Sequence, residues 1–386
     1  MKVLITTDLF TTATNGVVTS VRNLSDELER RGHDVRILTL SASLKSYQDR
    51  TVYYIRSMPV GVYPNVRMPL SYRHDLIDEL IAWKPDVIHS QCELFSMQYA
   101  KRISKLTGAP IVHTYHTMYE QYIGYVLPGK RLGNWAVRVL AHRRLEKVSL
   151  VIVPTAKMEA VLTGYGLKKP IRVIPSGIAL EQHRQRLLPD ARHAKRAALG
   201  ISDEQTVLIS LGRLGAEKNL DELLHLFAKA CAIHEGLVFL IVGDGPARSQ
   251  LVCTARRLGV ESQVVFAGMV DPSEVQEYYQ LGDVFVSAST SETQGLTYIE
   301  AAANGLPLLC RQDSCLADVI EQGENGFEYA CEQEFLDALA VISNDPGWRA
   351  SAGKRSEIIA AKFDKATFGN AIEEVYESVL EDRLEK

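Results

Sequence analysis

The chain has 386 residues, 46% of them hydrophobic and 23% charged, a globular composition with room for two domains of roughly 150 residues each. No run approaches the roughly twenty apolar residues of a membrane span, and six cysteines without a CxxC pair read as buried thiols, which excludes a disulfide framework or a zinc site. The net charge of −4 hides a split: residues 1–178 hold 24 Lys+Arg against 14 Asp+Glu and the remainder 19 against 33, so the first part is expected to meet something anionic.

The opening MKVLITTDLF reads as a buried strand, Val3–Thr6, with an apolar run too short for a signal peptide and no small-residue cleavage site. Gly16–Arg31 follows as an amphipathic helix with Val17, Val21, Leu24 and Leu28 on its apolar face. There is no GxGxxG fingerprint and no acidic residue at the ribose position, which disfavours NAD; Gly16 instead suits close backbone approach to a diphosphate. Strand-like runs at Val35–Leu38, Val87–His89, Ile111–Tyr115, Leu150–Val153 and Arg172–Ile174 alternate with helical stretches, the rhythm of a parallel doubly wound sheet. Within His113-Thr114-Tyr115-His116-Thr117, His113 reads as structural. His116, at the strand's carboxyl end, is the catalytic candidate.

From Pro128 to Val148 runs PGKRLGNWAVRVLAHRRLEKV, in a region (101–150) with nine Lys+Arg against two Asp+Glu. Leu132, Trp135, Ala136, Val139 and Leu140 have the spacing of an apolar stripe, with Arg131, Arg138, His142, Arg143 and Lys147 largely apart from it. Such a helix either packs its stripe on the domain or lies on an anionic membrane. The basic balance of residues 1–178 favours the membrane, with Arg131, Trp135, Arg138, Arg143, Arg144 and Lys147 as contacts.

The turn Ile174-Pro175-Ser176-Gly177-Ile178 closes this series, and a polar, helix-prone stretch, Leu180–Leu199, follows. A second series repeats the rhythm at Val207–Leu211, Leu237–Val242, Val264–Phe266, Val284–Val286 and Pro307–Cys310. The expected fold is therefore α/β, with two Rossmann-like doubly wound domains (1–178 and 179–367) facing a central cleft. A charged amphipathic helix in 368–386 is expected to cross back to the first domain.

Ligands of such sheets bind beyond the carboxyl ends of the strands. After Val207–Leu211 comes Gly212-Arg213-Leu214-Gly215-Ala216-Glu217-Lys218, two cations five apart in a glycine-containing loop, suited to a diphosphate. Gly243-Asp244-Gly245-Pro246 lets backbone approach a ligand, and Gly268-Met269-Val270 offers main-chain contacts to a base. The stretch SASTSETQGLTYIEA, Ser287–Ala301, leaves a buried strand, turns polar, and from Gly295 takes a helical pattern with Leu296, Ile299, Ala302 and Ala303 on one face. Its helix start suits a phosphate, while Glu292 and Glu300, with seven residues between them, suit sugar hydroxyls. A phosphate cradle beside two hydroxyl acceptors describes a nucleotide-sugar pocket. The chain has no DxD, HxxxH or HExxH, so no metal is expected; Arg213, Lys218 and the helix start would carry the charge on a leaving diphosphate.

With the two Rossmann halves, the Glu292-x7-Glu300 spacing and the Gly212-Arg213…Lys218 loop, the chain resembles the family 4 retaining glycosyltransferases of GT-B fold. The segments NGVVTSV (Asn15–Val21), HTYHTMYEQY (His113–Tyr122), IVPT (Ile152–Thr155), IPSGI (Ile174–Ile178) and ASTSETQGLTYIEA (Ala288–Ala301) are similar, more narrowly, to bacterial 1,2-diacylglycerol 3-glucosyltransferases of membrane-lipid and lipoteichoic-acid-anchor assembly. The resemblance implies glucose transfer from UDP-glucose to diacylglycerol on the inner, anionic membrane face, by a cytoplasmic peripheral enzyme with no cofactor and no nucleic-acid partner. It implies that Glu292 holds donor-sugar hydroxyls, that the amides of Gln294, Gly295 and Leu296 approach sugar and diphosphate, and that Glu300 binds the ribose. Arg213 and Lys218 would stabilise the departing diphosphate, Gly16 would cap it from the first domain, and His116 would contact the transferred sugar. No protein base is named; the leaving phosphate oxygen takes the acceptor proton. Gln312-Asp313-Ser314 stands where family members differ, which leaves room for another hexose, another lipid or a soluble polysaccharide acceptor. The UDP-GlcNAc 2-epimerases share the architecture but do not account for the Glu292/Glu300 pair or the basic helix.

Overall fold

The computed structural model describes residues 1–11, 15–60, 66–118 and 130–384, with backbone alone at 130–134, 136 and 384. Contacts divide the chain into two compact units, Met1–Gly177 with Lys365–Lys386, and Ile178–Asp364. The first unit is built on an eight-stranded sheet in the order Ile171–Val173, Leu150–Val153, Ile111–Thr114, Val87–Ser90, Lys2–Thr6, Asp34–Leu40, Val52–Ile55, Tyr47–Asp49. All neighbours are parallel except the last pair. Strands such as Leu150–Val153 are buried along their whole length, as a sheet covered on both faces requires. The helix Gly16–Arg30 is capped by the Asn15 side chain, which accepts from the Val18 amide at 2.9 Å. It packs Val21, Leu24 and Leu28 into the core with the half-buried Val17 beside them, the expected face, and it also buries Val18.

The last helix, Lys365–Leu384, packs on Gly16–Arg30 within this unit. Phe368, Ile372, Val375, Tyr376 and Val379 enter the core beside Val3, Ile5 and Leu24. Gly177 passes so close that a Cβ there would meet the Lys365 backbone at 2.6 Å. Arg31 pairs with Glu373 at 3.0 Å and donates to the Ala366 carbonyl at 3.2 Å. The Tyr376 hydroxyl meets Nδ1 of the fully buried His89 at 2.7 Å, while His89 Nε2 meets Thr114 Oγ1 at 2.7 Å. Burial pushes the His89 imidazole well below its ordinary pKa, so it stays neutral. Tyr376→Phe strands one ring nitrogen without a partner, and urea unfolding is expected to show a loss of about 1–3 kcal/mol. An unchanged midpoint would make that bond dispensable.

The helix also redistributes charge. With it, the first unit holds 27 Lys+Arg against 20 Asp+Glu, and the second 16 against 27, a milder split than the sequence division at residue 178 gives.

The second unit carries a six-stranded parallel sheet in the order Val264–Gly268, Leu237–Val242, Thr206–Leu211, Val284–Ser287, Leu308–Arg311, Gly326–Tyr329. In its own numbering that is 3-2-1-4-5-6, the Rossmann order, with the switch point between Thr206–Leu211 and Val284–Ser287. The edge strand Gly326–Tyr329 is covered by one side chain. The Gln322 amide accepts from the Glu328 N–H at 2.8 Å and donates to its carbonyl at 3.4 Å, as a neighbouring strand would.

Candidate active site

The loops that leave the two switch-point strands meet. After Thr206–Leu211 the chain turns at Gly212 (φ 146°) and runs through a short 3-10 turn, Ala216–Lys218, into the helix Leu220–Cys231. After Val284–Ser287 it turns through Ser289 and Glu292 to Gly295, which precedes the helix Leu296–Ala303. Lys218 Nζ reaches Glu292 Oε1 at 2.5 Å, and Ser289 Oγ donates to the same oxygen at 2.8 Å. The Ser289 and Ser291 hydroxyls donate to the Glu217 carbonyl at 3.4 and 3.3 Å. Both members of the Lys218–Glu292 pair are partly exposed, 29% and 16%, so an incoming ligand can compete for either. The pocket they share is lined by Gly212, Arg213, Lys218, Ser287, Glu292 and Thr297.

Arg213 was expected beside Lys218 as a diphosphate clamp. In the structure its Nη2 pairs with Glu217 Oε1 at 2.6 Å, so the guanidinium has a resident carboxylate to leave before it serves an anion. Two glycines are forced. A Cβ on Gly243 (φ 125°) would fall 2.0 Å from the Gly212 carbonyl, and one on Gly295 (φ 75°) 2.4 Å from the Tyr298 ring. Gly295 thus lets the loop enter the helix and supplies no capping side chain of its own. Gln294 is buried beside it and Leu296 half-buried.

Glu300, in the second turn of that helix, is not among the residues lining this pocket. Its Oε2 accepts from the hydroxyl of Tyr279 at 2.8 Å. Tyr279 is fully buried, its phenol pushed well above the ordinary range by burial and the neighbouring carboxylate, so it keeps its proton as donor. The sequence reading missed Tyr279: it lies 21 residues from Glu300, in a helix, Val275–Tyr279, that no motif marks. Val270, just past the strand Val264–Gly268, is half-buried on the core, and Met269 before it is 77% exposed.

In the first unit, Gly16 occupies the exposed first turn of the helix Gly16–Arg30. His116 follows the strand Ile111–Thr114 and is half-buried, its Nε2 2.7 Å from Gln91 Oε1. Desolvation lowers its pKa to about 4, against the opposing pull of Glu93, so the ring is neutral at working pH. His113 is fully buried against Glu93 at 3.1 Å.

The basic helix spans Lys130–Leu145. Its core-facing side is Val137, Ala141 and Leu145, continued by Val148, and not the stripe through Trp135 and Val139. Two residues are about 200° on a helix, so Trp135 (62% exposed) and Val139 (half-buried) lie opposite the true core face, with Arg138 and Arg143 exposed. Arg144 is half-buried, and its charge acts on both Tyr72 and Lys101, so it does not stand clear in solvent. Lys147 is exposed; the side chains of Arg131, Leu132 and Ala136 lie outside the described residues. The expectation of six buried cysteines needs correction too: Cys310 and Cys315 are buried, but Cys253 and Cys331 are exposed. Among the described residues no cluster of three His, Cys, Asp or Glu could hold a metal, and no helix is long and apolar enough to cross a membrane.

Comparison with known proteins defines the class. The family model Glycosyltransferase Family 4 matches residues 14–182, and Glycosyl transferases group 1 matches 191–359. The solved structure of Anabaena HepE in complex with UDP and glucose superposes with a TM-score of 0.77 at 19% identity, covering 98% of this chain and all of that one. Sucrose-phosphate synthase from Thermosynechococcus elongatus gives 0.77 at 21% identity over 99% of this chain and all of its own. The fold is GT-B, and the protein is an enzyme, a hexosyltransferase. The alpha-monoglucosyldiacylglycerol synthase of Streptococcus pneumoniae is 32% identical over 95% of this chain and 84% of its own length. The protein of that name from Acholeplasma laidlawii is 28% identical over 100% and 99%. The chain belongs to the family 4 glycosyltransferases.

Proposed function

We propose that the enzyme moves glucose from UDP-glucose to the 3-hydroxyl of 1,2-diacylglycerol on the inner face of the cell membrane, with retention, giving alpha-monoglucosyldiacylglycerol. The observation that carries this reading is the Lys218–Glu292 contact at the Rossmann switch point, a cation and a carboxylate side by side. The two relatives named alpha-monoglucosyldiacylglycerol synthase support the acceptor, and the UDP and glucose in the HepE structure support the donor. In this reading Lys218, Arg213 and the helix start at Gly295 neutralise the departing diphosphate in place of a metal. Glu292 grips sugar hydroxyls, Glu300 the ribose, and the backbone at Val270 the base. The acceptor oxygen bonds to the anomeric carbon on the face that UDP leaves, and its proton passes to the leaving phosphate oxygen.

The experiment is incubation with UDP-glucose and diacylglycerol in phosphatidylglycerol vesicles, with and without EDTA. UDP and an α-linked glucolipid are expected in both. Release of UDP with a soluble acceptor alone would end the lipid assignment, a β-linked product the retention, and loss of activity in EDTA the metal-free charge balance.

Tyr279→Phe gives a narrower test. The ring stays while Glu300 loses its buried donor, so the KM for UDP-glucose is expected to rise roughly three- to tenfold, with kcat within about twofold. A fall in kcat at constant KM would move Glu300 away from ground-state nucleotide binding.

A further inference from the structure

In the first unit, the strands Ser57–Pro59 and Arg67–Pro69 form an antiparallel ribbon in the register Ser57↔Pro69, Met58↔Met68, Pro59↔Arg67. Successive residues face opposite sides of a strand. Ser57 and Pro69 are buried, so Met58 and Met68 share the outward face, each 41% exposed. That is the face on which an ordinary surface ribbon is polar. Arg67 fastens the ribbon: its Nε donates to the Ser41 carbonyl at 2.9 Å and to Ser57 Oγ at 2.8 Å, and its Nη2 to the Ser57 carbonyl at 2.8 Å.

The apolar surface does not stop at the two methionines. Leu70 (45% exposed) and Tyr72 (37%) extend it along the chain, and the Ser43 carbonyl, next to Leu44 (66%), accepts from the Ser57 N–H. Of the fourteen exposed large hydrophobic residues among those described, six fall between Leu44 and Tyr72, a grouping and not a scatter. Cations border it: Arg56 and Arg73 are exposed, and Arg144 of the basic helix lies close enough to Tyr72 to act on its phenol. The basic helix to which Arg144 belongs also exposes Trp135, Arg138 and Arg143.

We infer that this methionine-faced ribbon is an insertion element that enters the apolar layer of an anionic bilayer while the adjoining arginines hold the headgroups. An apolar face ringed by arginines matches a lipid interface, and methionine's flexible thioether adapts to disordered acyl chains. The inference rests on the reading of a membrane-borne acceptor, and it divides the binding into two parts. The ribbon supplies a contribution that salt does not screen, and the helix one that salt does.

The test is flotation with vesicles of phosphatidylglycerol and phosphatidylcholine, at low and high salt, for the wild type, Met58→Ser/Met68→Ser and Arg138→Glu/Arg143→Glu. The methionine variant is expected to lose roughly tenfold in partitioning at both salt concentrations. The arginine variant is expected to lose binding at low salt only. Partitioning that is unchanged in the methionine variant, or a wild-type dimer that it converts to monomer in sedimentation, would overturn the inference, the latter assigning the face to a second copy of the chain. Hydrogen exchange of the wild type tests insertion without a substitution: vesicles should slow exchange in residues 56–60 and 66–72, and no slowing there counts against it. Partitioning needs neither donor nor acceptor, so the ribbon can hold even if the glucolipid does not form.

Discussion

Lys218→Ala is expected to lower turnover on the order of 10²–10³-fold, the usual consequence of removing one fixed donor from developing charge. Lys218 sits at the end of a 3-10 turn whose next residue, Asn219, takes the left-handed conformation (φ 51°), so the ammonium is presented by a fixed backbone. Its resident partner is Glu292 at 2.5 Å. When a diphosphate arrives, the lysine can bridge carboxylate and phosphate, and its charge counts most as the phosphate departs. The loss is therefore expected in kcat more than in KM, with the thermal transition little changed because the pair is partly exposed. Steady-state kinetics with UDP-glucose decide it. Turnover within threefold of the wild type would remove Lys218 from the reaction.

Glu292→Gln is the second large effect. The amide keeps the shape of the side chain but gives up the charge that both Lys218 Nζ and Ser289 Oγ meet at Oε1. Loss of roughly 10²-fold in kcat/KM for UDP-glucose is expected, while calorimetric binding of UDP, which has no sugar for Glu292 to hold, stays within a few-fold. Equal weakening of UDP and UDP-glucose would mean that Glu292 acts only by holding the loop. Because Lys218 and Glu292 touch, the double variant should lose less than the two single losses combined.

Much of the architecture is legible in the chain because buried parallel strands are short continuous apolar runs. Leu150–Val153 and Leu237–Val242 stand at the residues their apolar runs mark. Val52–Ile55 escaped although it is an apolar run, only alternately buried; the other strands that escaped lack that signature. Tyr47–Asp49 is fully exposed, Ser57–Pro59 and Arg67–Pro69 contain prolines, and Gly326–Tyr329 begins on a glycine. In the second unit, the meeting of residues 74 apart, Lys218 and Glu292, follows from which loops flank a switch point, a matter of strand order and not of local periodicity. No spacing rule announces the buried hydroxyl of Tyr279 behind Glu300; Glu217 stands four residues after Arg213, a spacing that signals an ion pair on an α-helix, but this segment is a loop and a 3-10 turn. The basic helix failed differently. With alanines and valines on two sides, its sequence admits two apolar stripes, and packing through Val137, Ala141 and Leu145 chose between them.

The packing of Lys365–Leu384 against Gly16–Arg30 has a bearing on the order of synthesis. On the ribosome, residues 178–364 emerge as an uninterrupted stretch, while the unit begun at Met1 waits for its final helix before Tyr376 can reach His89. The half made first is thus finished last, and a ribosome stalled before residue 365 leaves Val3, Ile5 and Leu24 without their cover of Phe368 and Ile372.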